Sequence, residues 1–286
     1  MNLHKYSPAL LTLLVFLLSQ GLVTLLLIGI SMLISPEISA AVKDYVNGEG
    51  QNPMMFEKFI SALSLILMAV DIIAVLLCYF LLRNIRLLTA DDVASIRWRP
   101  GIIAIAAGIL GALSVSIVTE KVPLPDVMVQ MSKAMSGNFW GLLALAIVGP
   151  VTEELLFREA IEGEMLRRGA NPWTAIIVSA LAFGIAHLNL AQGLYAIPLA
   201  IIFGIIYYKT GNIVLTSLLH IINNSIVALQ LTLGEGIEDL SYAEWLGSPA
   251  RAYALMALSA ILCLLLMKIF WNTYPTNEKI QKKALP

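Results

Sequence analysis

The chain has 286 residues, of which 59% are apolar and 13% charged, with a formal net charge of −1 and a mean hydropathy of +0.84. A soluble domain carries about 25% charged residues, so this composition excludes an ordinary water-soluble globule. With no basic patch interleaved with aromatics, it also excludes a nucleic-acid partner.

Apolar runs of about 20 residues recur along almost the whole chain, the pattern of an all-α polytopic membrane protein. About eight spans are predicted, in one membrane-embedded domain over residues 1–286. The first is roughly 8–34, too long for a signal-peptide core of about 7–15 residues and without a small-residue cleavage site. A polar loop, 35–57, follows, with Pro36, Gly48, Gly50 and Pro53 as breakers. The second span, 58–82, carries an acid, Asp71, that either faces a cavity or pairs with an arginine. Arg83, Arg86, Arg97 and Arg99 then cluster around Asp91 and Asp92. The third span is 101–119, and Pro123 and Pro125 mark the loop after it. The fourth begins near Phe139 and runs on, punctuated by charge, to about Arg168. The fifth is 172–188, the sixth 194–208 and the seventh 212–231. An acidic loop then holds Glu235, Glu238, Asp239 and Glu244. The eighth span, 250–271, leads to a polar tail with Lys279, Lys282 and Lys283. Cys78 and Cys263 lie inside apolar runs and read as small buried hydrophobes, not as a disulfide or a cysteine zinc site.

Eight spans put both termini on one side. Placing that side in the cytoplasm leaves Lys43, Lys58, Lys121, Lys133 and Arg251 outside and the other 13 of the 18 Lys+Arg inside, as the positive-inside rule requires.

The stretch Gly149-Pro150-Val151-Thr152-Glu153-Glu154-Leu155-Leu156-Phe157-Arg158 sets two carboxylates and an arginine in the apolar fourth span. Charges at such depth cost about 2.5–3.5 kcal/mol each on insertion scales, so a site is the usual reason to retain them. Glu154 and Arg158 are four apart and share a helix face. Glu153 points about 100° away, without a local partner. Pro150 lacks an N–H and frees backbone carbonyls near the glutamates. His187 follows Phe183 by one turn, beside the small residues Gly184 and Ala186. His220 precedes Asn224 by one turn in the seventh span. Counted from the inner ends of their spans, Glu153 and His187 both lie roughly 22 Å deep at 1.5 Å per residue. The groups can converge in one cavity. Such a cavity supports water activation by a carboxylate near imidazoles, with or without a metal. A three-donor N/O set, Glu153, His187 and His220, suits catalytic zinc, while an asparagine and a donor histidine suit an oxyanion hole. His-Glu-x-x-His is absent, which excludes a soluble-type zincin site on pattern. Two other readings stay open: a proton-coupled transporter using the same Glu and His groups as a relay, and a silent scaffold that keeps them for packing.

Glu153-Glu154-x-x-x-Arg158, Phe183-x-x-x-His187 and His220-x-x-x-Asn224, in that order, resemble the CAAX-protease and bacteriocin-processing (Abi) family of intramembrane endopeptidases. The resemblance covers about residues 139–231, the expected catalytic core. It implies an eight-helix membrane fold with a cavity open to the cytoplasm, in the cell membrane. It implies that Glu153 activates water assisted by His187, that His220 and Asn224 stabilise the oxyanion, and that Glu154 and Arg158 support them. Its substrates are peptides or proteins at the membrane, some of them lipidated. It leaves open whether the site holds Zn2+ or works as a metal-free glutamate peptidase.

Overall fold

The computed structural model describes residues 3–46, 53–86, 88–125, 128–233 and 240–275, and every element among them is helical. The main helices are α1 (Ser7–Ile34), α2 (Pro36–Val46), α3 (Pro53–Leu82), α4 (Trp98–Thr119), α5 (Phe139–Arg167), α6 (Pro172–Ala186), α7 (Leu190–Thr210), α8 (Ile213–Leu233) and α9 (Pro249–Thr273). All but α2 and α6 are long and apolar enough to cross a membrane, which gives this polytopic membrane protein seven candidate spans among the described residues. Helix α6 has 15 residues. It rises about 22 Å, short of a hydrocarbon core about 30 Å thick, so one of the eight predicted spans is a shorter helix. The expected loop residues Gly48, Gly50, Glu235, Glu238 and Asp239, the tail lysines Lys279, Lys282 and Lys283, and the Asp91 side chain lie outside the described parts.

The loop predicted over 35–57 contains α2. Pro36 opens this helix instead of breaking it: at the first helical position its missing N–H costs nothing. Ser35 Oγ accepts from the Ile38 N–H, as an N-cap does. The inner face, with Ala41 buried, rests on Phe59 and Ile60 of α3, and Lys58 pairs with Glu37 at 2.7 Å.

Lipid is as apolar as leucine, so helices here associate by close packing. A Cβ on Gly108 of α4 would stand 2.3 Å from Leu219 of α8. Where α6 meets α7, a Cβ on Gly193 would stand 3.0 Å from the Gly184 carbonyl. The turn between α6 and α7 is tight enough to hold Leu188 at φ 48°, and Asn189 caps α7 through the Ala191 N–H. Asn171 caps α6 and Asn138 caps α5 in the same way.

Helix α5 is not uniform. Two stretches, Ala144–Val148 and Leu155–Gly163, are π-helical, on either side of an α-helical Gly149–Glu154. Such widened turns re-aim side chains and often mark functional sites. Here they flank the two adjacent glutamates.

Candidate active site

Glu154, Arg158 and Glu162 follow one another at intervals of four along α5, and all three are fully buried. Arg158 Nε lies 3.3 Å from Glu154 Oε2, and its Nη1 lies 3.8 Å from Glu162 Oε2. The same Nη1 donates to Ser179 Oγ of α6 at 2.9 Å, and Ser179 Oγ donates to the Phe157 carbonyl at 2.7 Å. The guanidinium lies 5.7 Å from the Phe183 ring centroid and 5.9 Å from that of Phe203, which adds a cation–π contribution. One cation thus serves two buried carboxylates.

His220 of α8 reaches this ladder from the side. Its Nδ1 stands 3.1 Å from Glu154 Oε1, and its Nε2 stands 3.5 Å from Glu153 Oε2. Phe183 and Phe203 wall the imidazole at centroid distances of 5.7 and 5.3 Å. Glu154, ion-paired to Arg158, can only accept, so Nδ1 carries the hydrogen of that bond and Nε2 is left facing Glu153. The two adjacent glutamates therefore differ sharply. The Glu154 side chain is wholly enclosed, whereas that of Glu153 keeps 25% exposure.

His187, just past the end of α6, is half-buried. Its Nδ1 is 2.8 Å from the Phe183 carbonyl, and its ring meets Phe183 edge-on at 4.8 Å. Phe183 is thus the shared wall of both imidazoles. Asn224 Nδ2 donates to the Leu145 carbonyl at 3.1 Å, which ties α8 to the first π-helical turn of α5.

Among the described residues no group of three or more His, Cys, Asp and Glu side chains is arranged to hold a metal ion. In both histidines it is Nδ1 that is engaged, with Glu154 for His220 and with the Phe183 carbonyl for His187, so Nε2 is the nitrogen each would turn to a metal ion. A cavity of about 570 Å³ lies elsewhere, lined by Leu25, Leu26, Gly29, Ile30, Leu33 and Lys43 among others.

Sequence reasoning missed several partners. Glu162 extends the Glu154–Arg158 spacing by one more interval of four, and that signal was legible. Glu159 Oε1 pairs with Arg167 at 2.6 Å, and Glu159 Oε2 accepts from Tyr207 of α7 at 2.5 Å; a π-helical register was needed to foresee either. Asp71, expected either to face a cavity or to pair with an arginine, has a glutamine as its hydrogen-bond partner. It accepts from Gln20 Nε2 of α1 at 2.6 Å.

Residues 135–226 match the family described as "Type II CAAX prenyl endopeptidase Rce1-like". That stretch starts just before α5 and ends in α8, so it carries all six predicted site residues. Over 88 residues the chain is 30% identical to the Bacillus subtilis (strain 168) protein described as "Putative membrane peptidase YdiL". The aligned part is 31% of this chain and 36% of that protein, so the chain spans about a third of the length of this curated relative. No solved structure matches the chain. The helices that hold Glu153, His187 and His220 are thus the part of the chain that is similar to this peptidase family.

Proposed function

We propose that this protein is a membrane-embedded endopeptidase that hydrolyses a peptide bond of a membrane-associated protein or peptide with water activated at Glu153. The observation that carries this reading is the split environment of the glutamate pair. Glu154 is locked by Arg158 and His220, while Glu153 stays partly open with an imidazole nitrogen 3.5 Å away. Glu153 takes a proton from water as the oxygen attacks the substrate carbonyl, and returns it to the leaving amine. His220, its Nδ1–H held by Glu154, gives the oxyanion an N–H from Nε2 when the ring carries a proton on both nitrogens, and Asn224 gives a second N–H from its amide. His187 assists Glu153 in activating the water. The catalytic core is residues 139–231, the cavity faces the cytoplasm of the cell membrane, and lipidated tails are among the substrates.

The test is cleavage of a peptide library, prenylated peptides included, by the purified protein with and without a chelator, beside proton uptake by reconstituted vesicles. Cleavage that survives the chelator and disappears in Glu153→Gln is expected. Cleavage that disappears with the chelator would give the site a metal. Proton-linked uptake without cleavage would replace the peptidase with a transporter.

A further inference from the structure

The amide of Asn224 sits in a hydrogen-bond chain that crosses three helices. Tyr195 Oη of α7 donates to Asn223 Oδ1 at 3.0 Å. Asn223 Nδ2 donates to Asn224 Oδ1 at 3.1 Å, and Asn224 Nδ2 donates to the Leu145 carbonyl at 3.1 Å. Amide oxygens and nitrogens are easily interchanged, so the direction of such a chain must be argued. Here the Leu145 end decides it. A backbone carbonyl only accepts, so Asn224 turns its NH2 toward Leu145 and its oxygen toward Asn223. Asn223 must then donate to Asn224 and turn its own oxygen to Tyr195, whose hydroxyl rotates to donate.

The Leu145 carbonyl is open for a reason written in the sequence. In the π-helical register the Gly149 N–H bonds to the Ala144 carbonyl. The next bond of that series would run from residue 150 to Leu145, and residue 150 is a proline without an N–H. One hydrogen of the Asn224 NH2 is used on Leu145, and the second remains for a substrate oxygen.

We propose that Tyr195 and Asn223 are positioning residues: with the Leu145 carbonyl released by Pro150, they fix Asn224 in the orientation that offers an N–H to the oxyanion. This rests on the peptidase reading above for its catalytic consequence, but not for the orientation itself. Removing the Tyr195 hydroxyl strands the buried Asn223 oxygen and lets both amides turn. Giving residue 150 an N–H supplies a competitor for the Leu145 carbonyl.

Two readouts on the full-length protein separate these layers. With an internally quenched peptide ending in a prenylated Cys-aliphatic-aliphatic-Met tail, Tyr195→Phe lowers kcat about tenfold and leaves KM unchanged. That is a part of the 10²–10³ typical for loss of an oxyanion donor. In an Asn224→Ala background the same substitution has no further effect. An equal loss in both backgrounds, or an unchanged kcat, overturns the positioning role. In the protein labelled with ¹⁵N at asparagine, one Asn224 side-chain proton exchanges slowly in the wild type and quickly in Tyr195→Phe and Pro150→Ala. Slow exchange in both variants overturns the chain whatever the activity. Full cleavage by Glu153→Gln overturns the peptidase reading and leaves the exchange result standing.

Discussion

Helices α5 and α9 are similar in length, 29 and 25 residues, yet they treat charge in opposite ways. Helix α9 keeps its charges, Arg251 and Lys268, near its ends, and turns Leu258, Ile261, Leu264 and Leu265 outward. Helix α5 carries Glu153, Glu154, Arg158, Glu159, Glu162, Glu164 and Arg167 within its length. The difference follows from what surrounds each. In the best apolar window of α9 17% of the residues are buried, against 39% in α5. Where lipid is the neighbour nothing can satisfy a charge; where other helices are the neighbours, a ladder of partners can.

The largest effect that tests this contrast is on the ladder itself. Arg158→Met leaves Glu154 and Glu162 buried without their cation and should cost about 3–5 kcal/mol in unfolding free energy. Denaturation in detergent measures it, and an unchanged midpoint would mean that the two carboxylates need no cation. Tyr207→Phe removes the donor to buried Glu159 and should cost about 1–3 kcal/mol. A smaller loss would assign Glu159 to Arg167 alone. On the other side of the comparison, Leu264 is 71% exposed. Leu264→Ala should move stability by no more than about 0.5 kcal/mol. A larger loss by the same measurement would show that this face of α9 packs against protein.

The sequence made the spans plain because a long apolar run has few other fates. It made Glu153, Glu154, Arg158, His187, His220 and Asn224 candidates because polar groups are conspicuous in such runs. It misled at Pro36, where a residue read as a breaker is a helix opener. It was silent on the pairing of Asp71 with Gln20, since partners from two distant helices leave no mark on local spacing. The π-helical stretches of α5 were hidden for a related reason. In the first of them Asn224, from another helix, takes the Leu145 carbonyl that Pro150 leaves open, and local spacing carries no mark of such a partner.

The central claim is that the adjacent glutamates divide the work, Glu154 holding the site together and Glu153 performing the chemistry. Measuring kcat and the unfolding midpoint on one preparation of Glu153→Gln tests it most directly. The account predicts a kcat lowered by at least about 10²-fold, the usual scale for a lost general base, with a midpoint equal to or above that of the wild type. Retained kcat, or a midpoint that falls as far as in Arg158→Met, would contradict it.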